Sequence, residues 1–540
     1  MTLALDASPS LLSSLASGSV VLLAAWLLFP DSRRRAIAAL PCPPSTLPLV
    51  GNTLDLMFFQ LPRLHDWITE QCLRLGGRTW RLDVLGAPPL VVVSSVAAFE
   101  DVLKTQFEVF DKGPRMNRIF RSVAGDGIVA VDGDKWRQQR KALSHLFTRR
   151  QFRDAISEAI HRNVQQLGHV LELTATRGST LDLGEAFHAF AFDTFTEIAF
   201  GLKPSALEMV AKGHEDPFLS AMTETFKCIE LRFHQPDWLW QLKSAVNVGT
   251  ERKLKQMVEL MDERAYAIIN EALAQRHARE ADGQVSRRVD AVSLAMDHID
   301  ELRGPIKDKA DEAARTKYLR DVSMTVIGAG KDTTGTTLQW FVIMIARFPP
   351  VLERIREELR RELPRLYSDP AFVPSMEDVE SLVYLDAVIH ENLRVNPLIP
   401  LNAKEANRDV TLCDGTFIKK GTRVYIPSYA LARMPSVWGS DAAEFKPERW
   451  LESAEPDDPR GRHGQRLRTV SPYQFVSFHA GPRICLGMNF ALVELKTTLA
   501  YLLSKFDLTP LRPPEAYSYD IASSLAVKGP LLARVSKLKT

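Results

Sequence analysis

Cys485 is the residue of this sequence best placed to do chemistry. It ends the Gly/Pro-rich turn Phe478-His479-Ala480-Gly481-Pro482-Arg483-Ile484-Cys485-Leu486-Gly487, just before the apolar helix pattern Met488 to Glu494. A sulfur near the positive end of a helix is favoured as thiolate, the form that attacks or ligates. A second candidate is Ala329-Gly330-Lys331-Asp332-Thr333-Thr334, inside the apolar segment Val322 to Ile345, which predicts a long central helix. There the Thr333 hydroxyl can bond to the preceding turn and hold a water, with Asp332 as an adjacent proton donor. Gly330 removes a side chain where a small molecule has to fit. Glu391 and Arg394, three apart, share a helix face, and Arg449 in Phe445-Lys446-Pro447-Glu448-Arg449-Trp450 would complete a buried charge triad. Trp136 and Arg140 are one helical turn apart, beside Arg137 and Lys141, which read as an exposed basic face. Taken singly, each of these is ordinary structure: a buried cysteine, a back-bonded threonine, a solvated ion pair.

The candidates are spread over some 350 positions, so a large fold must gather them. Helical periodicity dominates after residue 52, with few strand runs and no internal repeat, which predicts one large, mainly α domain with small β-sheets. Leu90 to Ser94 and Arg423 to Ile426 read as strands. The charged stretch Gln275 to Asp290 and the polar stretch Glu452 to Thr469 read as surface loops. A composition 45% hydrophobic and 25% charged is globular, neither disordered nor polytopic. A net charge of +2 argues against a nucleic-acid partner. Cys42, Cys72, Cys228, Cys413 and Cys485 are scattered, odd in number and never in a Cys-x-x-Cys pair, so neither a disulfide framework nor a zinc ribbon is expected. The 12 histidines show no metal-ligand spacing.

No charged residue occurs between Asp6 and Asp31, and Leu11 to Phe29 is rich in Leu and Val. At roughly 20 residues per bilayer crossing this segment can span. Arg33-Arg34-Arg35 follows it, which predicts a retained anchor with the bulk of the chain on the cytosolic side. The expected organisation is an N-terminal anchor and basic flank over 1–35, a proline-stiffened hinge over 36–52 and a catalytic domain over 53–540.

The run Phe-x-x-Gly-x-Arg-x-Cys-x-Gly at 478–487 resembles the haem-binding signature of the cytochrome P450 superfamily, and the Asp332-Thr333, Glu391/Arg394 and Arg449 motifs fall in that family's order. The resemblance implies one mostly helical fold enclosing haem b between the Thr333 helix and the Cys485 helix. It implies Cys485 as axial iron ligand, Phe478 shielding the sulfur, and Gly481 and Gly487 letting the backbone approach the porphyrin. Arg483, Trp136 and Arg140 would face the propionates, and Asp332 and Thr333 would relay protons beside Gly330. The implied activity is oxygen insertion into a C–H bond. No Gly-x-Gly-x-x-Gly follows a strand, so electrons must come from NADPH through a separate reductase. The expected location is the endoplasmic reticulum membrane, single-pass. Gly125 to Ile128, Arg433 to Gly439 and His479 to Gly487 resemble the fatty-acid and alkane ω-hydroxylase branch, which usually has Asn where His479 stands. For a lipid carboxylate, Arg115 or Arg232 is a candidate holder, though each reads more readily as a structural arginine. A haem-thiolate isomerase or dehydratase, and a non-catalytic haem sensor, are the alternatives; the retained Asp332-Thr333 pair argues against both.

Overall fold

A helical segment as apolar as Val322 to Ile345 has nowhere to go but the middle of a protein. In the computed structural model, which describes residues 31–148, 156–281, 290–304, 307–455, 458, 461–520 and 524–538, that helix runs over Lys309–Arg347. The expected membrane segment lies outside the described residues, and among them no helix is long and apolar enough to cross a membrane.

The helices that matter for the site are α1 (Gly113–Ala124), α2 (Gly133–Ser144), α3 (Ser157–Arg177), α4 (Leu183–Phe200), α5 (Pro217–Phe233), α6 (Gly249–Ala281), α7 (Ala291–Arg303), α8 (Lys309–Arg347), α9 (Pro349–Glu362), α10 (Val383–Val395) and α11 (Met488–Lys505). The sequence reading of Val322 to Ile345 captured only the apolar heart of α8. Its N-terminal end is set by Asp308, whose carboxylate accepts the Asp311 N–H at 2.8 Å. Asp182 caps α4 in the same way, accepting the Gly184 N–H, and α4 stops at Gly201 in the left-handed conformation (φ +75°). α4 is almost wholly buried and lies along α8.

Among the described residues the strands form four small sheets, two of them hairpins alone. The strands of the other two are β1 (Trp80–Leu82), β2 (Leu90–Val92), β3 (Phe110–Asp111), β4 (Thr180–Asp182), β5 (Asn402–Ala406), β6 (Arg423–Ile426), β7 (Phe506–Pro510) and β8 (Leu532–Lys537). The first sheet has the order β1-β2-β6-β5-β3, with β2 and β6 parallel; the second is β7-β8-β4, antiparallel. In β5 the inward positions are Lys404 and Ala406, so a lysine occupies a place that strand alternation reserves for an apolar residue.

Three stretches differ from the sequence reading. Gln275 to Ala281, expected as loop, continues α6, because the stretch is rich in residues of good helix propensity; residues 282–289 lie outside the described set. Within Glu452 to Thr469 a hairpin forms, Leu451–Ser453 against Gln465–Leu467. The proline segment is fastened to the first sheet. The Pro41 carbonyl accepts the Arg81 N–H at 2.9 Å, and the Asn52 N–H donates to the Asp83 carbonyl at 2.6 Å. Gly51 has φ +58°, and a Cβ there would lie 2.3 Å from the Asp83 oxygen. Two arginines of the basic flank bind the folded body as well, Arg33 to the Gly421 carbonyl at 3.1 Å and Arg34 to the Ala87 carbonyl at 2.8 Å.

Candidate active site

From Leu319 to Ile345 every residue of α8 is buried except Gly328, Ala329, Asp332 and Thr333. These four form an i, i+4 stripe, so the only opening along the centre of the helix falls on the motif singled out in the sequence. The Thr333 hydroxyl donates to the Ala329 carbonyl at 2.8 Å, the expected back-bond. Gly330 faces the other way: a Cβ there would lie 2.1 Å from Cγ of Phe195 on α4. The small residue on Thr333's face is therefore Ala329, and Gly330 serves the packing of α4 on α8.

Cys485 sits in a loop shaped by hydrogen bonds and one close approach. Its N–H donates to the Phe478 carbonyl at 2.9 Å, and the Gly487 N–H points at its sulfur. Gly481 has φ +64°, and a Cβ there would lie 2.1 Å from the Leu103 carbonyl oxygen, so no other residue fits. Cys485 keeps accessible surface, yet burial is the largest influence on its thiol, so that surface lines an internal recess. Burial pushes the thiol up, while the Gly487 N–H and the Arg140 charge pull it down.

An aromatic wall runs between the two motifs. Phe195, the residue seated against Gly330, lies 5.5 Å from Phe490 of α11 between ring centroids. Phe490 lies 6.4 Å from Phe147, and a Cβ on Gly487 would meet Phe147 at 3.7 Å. A polar link runs beside it: Thr334 Oγ1 donates to Glu494 Oε2 at 2.9 Å, and burial pushes that carboxyl up to about 8.

Basic groups gather behind the loop. The Trp136 ring has the Arg483 guanidinium 4.5 Å away and the Arg140 guanidinium 5.7 Å away. Arg483 Nη2 donates to Asp132 Oδ1 at 2.6 Å and to the Val131 carbonyl at 3.0 Å, but its Nε has no partner. Among the described residues Arg140 makes no hydrogen bond or ion pair. Lys404 is 2% exposed and its Nζ is likewise unpartnered. Burial, with Lys112 and Arg483 nearby, drives the Lys404 ammonium well below its ordinary value, and burial with Arg483 lowers Lys112 to about 8. His479 adjoins this group; Lys404 and Lys112 reinforce burial in lowering its imidazole to about 3. Its φ of +62° explains the residue type, since among non-glycine residues Asn and His tolerate the left-handed region best.

Lys404 and Lys112 were missed in the sequence. A lone lysine on a strand carries no signal until the strand's inward face is known. The two arginines considered for a lipid carboxylate are committed elsewhere. Arg232 is buried on Glu251 (3.0 and 2.6 Å) and on the Ile119 carbonyl (2.7 Å), and Arg115 binds Asp237 at 2.8 Å. A cavity of about 280 Å³ beside Trp340, Arg433 and Tyr519 shares no lining residue with the Cys485 and Thr333 set.

The charge triad forms as expected. Glu391, fully buried, accepts from Arg394 Nε (2.7 Å) and Nη2 (2.8 Å), Arg449 Nε (3.0 Å), Trp450 Nε1 (2.9 Å) and the Lys446 N–H (2.7 Å). From the same helix, the Leu393 carbonyl accepts the Ser477 hydroxyl at 2.7 Å, one residue before Phe478. The triad thus anchors the start of the cysteine loop.

The residues present fit a haem. Its two carboxylates would meet the unpartnered donors of Arg140, Lys404 and Arg483, and its iron would meet a sulfur lining a recess. The comparisons with known proteins agree. The family model described as Cytochrome P450 matches residues 41–528. Cytochrome P450 86B1 of Arabidopsis thaliana is 30% identical, covering 85% of this chain and 79% of that protein. Cytochrome P450 CYP94D108 of Paris polyphylla is 31% identical (85% and 88%), and alkane hydroxylase MAH1 of Arabidopsis thaliana is 29% identical (84% and 85%). A cysteine loop, a buried triad and a single opening in the central helix, found together with these matches, have one explanation: the chain belongs to the cytochrome P450 family.

Proposed function

We propose that the chain is a haem-thiolate monooxygenase that hydroxylates a fatty acid or related lipid at or near its terminal methyl. The observation that carries the reading is the interruption of burial on α8 at Gly328, Ala329, Asp332 and Thr333 alone. A central helix spends no burial on an acid and a hydroxyl unless they are needed. Haem b, when bound, supplies the activation of dioxygen with electrons from NADPH through a separate reductase.

The chain's own residues do the rest. Cys485 would supply the thiolate sulfur that holds the haem iron, with the Gly487 N–H directed at that sulfur and Phe478 at the head of the loop. Arg140, Arg483 and Lys404 would hold the propionates, with both guanidinium groups against the Trp136 ring. Thr333 holds a water at its hydroxyl, and Asp332 passes protons toward it. The substrate class rests on resemblance to the branch that includes the alkane hydroxylase MAH1. Terminal attack requires a narrow channel, since a primary C–H bond is stronger than its secondary neighbours. A lipid reservoir is at hand if residues 1–35 anchor the chain in the endoplasmic reticulum membrane with the 53–540 domain cytosolic. The exposed Met57, Phe58 and Phe59 (64%, 68% and 69%) support a body lying against that surface.

The test is a binding titration over fatty acids of graded length, read by the haem absorbance shift, followed by product analysis with reductase and NADPH. Terminally hydroxylated acids are expected. Turnover of sterols or aromatic compounds with no lipid oxidation overturns the substrate class and leaves the monooxygenase standing.

A further inference from the structure

Lys331 is a charged residue buried in the central motif of α8, between Gly330 on the packed side and Asp332 on the open stripe. Its side chain keeps 2% of its surface accessible. Taking an ammonium out of water is costly unless the charge is paired. The Lys331 Nζ forms an ion pair with Asp332 Oδ1 at 2.8 Å, and among the described residues it has no other. It also donates to Thr223 Oγ1 of α5 at 3.4 Å; the Thr223 hydroxyl donates to the Leu219 carbonyl at 3.0 Å, which leaves its oxygen free to accept. α5 reaches α8 here through a second contact, since a Cβ on Gly328 would lie 3.8 Å from Cζ of Phe226. The neighbouring ring, His188 on α4, does not compete for the carboxylate. It stands 4.0 Å from Oδ1, and burial with the Lys331 charge lowers its imidazole to about 4, which keeps it neutral. Asp332 therefore has one charged partner, and that partner holds one oxygen. No donor among the described residues reaches Oδ2, and the side chain keeps 25% of its surface accessible on the open stripe.

We propose that Lys331 is a positioning residue for Asp332: its buried ammonium, braced on α5 by Thr223, pins Oδ1, so that Oδ2 is the oxygen that takes a proton from water and passes one to the water held by Thr333. Each relay event takes up one proton and releases one. No electron moves, and the ammonium keeps its own protons. The inference rests on the reading of Asp332 and Thr333 as the proton relay, and the experiment separates the two.

The full-length, haem-loaded chain is assayed with a NADPH-dependent reductase and dodecanoic acid as probe. Hydrogen peroxide released per NADPH and the rate of NADPH consumption in H₂O against D₂O are read. Two further readouts are the dodecanoic acid concentration that half-completes the haem absorbance shift and the urea midpoint of the haem-free chain. Lys331→Met, close to the parent in length and without the charge, is expected to raise peroxide release several-fold and the solvent isotope effect about twofold, with the half-shift concentration unchanged. A merely structural lysine would instead lower the urea midpoint or weaken binding and leave the isotope effect at its parental value. Thr223→Val, which removes the brace from an exposed position on α5, should move peroxide release and the isotope effect in the same direction by less. It decides the matter if Lys331→Met takes up no haem. In the double variant Lys331→Met/Asp332→Asn, the lysine change should add nothing to Asp332→Asn alone, because it acts only through that carboxylate. Parental values in Lys331→Met beside altered values in Asp332→Asn, or an undiminished effect of Lys331→Met in the Asp332→Asn background, overturn the role of Lys331. Parental values in Asp332→Asn overturn the relay itself, and the proposal with it.

Discussion

Two groups of charged side chains flank the cysteine loop, and they are built on opposite principles. In the first, Glu391 receives five donors and Arg394 spends its remaining N–H groups on the Ala432, Ala442 and Glu444 carbonyls, so no buried charge lacks a partner. In the second, Lys112, Lys404, Arg483 and Arg140 face chiefly Asp132 and Asp111, and Lys404 Nζ and Arg483 Nε are left without partners. A buried ammonium with no partner is expensive. The complete network is self-sufficient structure. The incomplete one leaves donors that an anion would satisfy, and a haem propionate has that chemistry.

The comparison can be broken most decisively at Glu391. Glu391→Ala leaves the buried Arg394 guanidinium without a counter-charge, while Arg449 keeps Asp441 at 3.0 Å, and is expected to cost about 3–5 kcal/mol, enough to abolish haem uptake and cooperative unfolding. Parental denaturation behaviour would show that the triad is dispensable. Cys485→Ser comes next. It should fold, because the loop is held by backbone bonds and by Ser477, but the reduced, carbon monoxide-bound protein should lose the red-shifted band of a thiolate ligand. A retained band would remove Cys485 from the iron.

A smaller effect, opposite in kind to that of Glu391→Ala, is expected at Lys404. Lys404→Met relieves a buried charge, so the haem-free chain should unfold at higher urea, while haem transfer to apomyoglobin should become about tenfold faster. A variant less stable without haem would assign Lys404 to structure instead. Thr333→Ala leaves both networks intact and should only uncouple NADPH consumption from product; equal coupling would remove Thr333 from the relay.

The gentlest probe is pH. The folded pKa of Lys112 is about 8, below its ordinary 10.5, so between these values the unfolded chain holds a proton that the folded chain lacks. Stability of the haem-free chain should therefore rise from pH 8 towards 10 and fall back as pH drops through 8. Haem retention should fall over the same range as the cation is lost. Lys112→Met should flatten both curves, and an unchanged slope in urea titrations would place the titrating group elsewhere.

How much of this was legible follows from the range of the interactions. The cysteine loop is written in ten consecutive residues, because its turns and its approach to a helix start are local. Glu391 and Arg394 were readable as a pair because i, i+3 spacing puts them on one face, and the heart of α8 because an unbroken apolar run forces burial. The N-terminal apolar segment is equally plain in the sequence, whatever structure it takes. The structure alone decided what crosses the chain. Gly330 is a glycine because of Phe195, and Gly481 because of Leu103, neither of which has any sequence relation to it. Lys404 becomes a cation of the site only when β5 pairs with β6 and turns it inward, and Lys331 meets Thr223 across 108 positions only because packing brings α5 to α8. Periodicity, caps and turns are properties of neighbouring residues and can be read in order; the partner of a buried charge is chosen by packing, which brings together residues the sequence keeps apart.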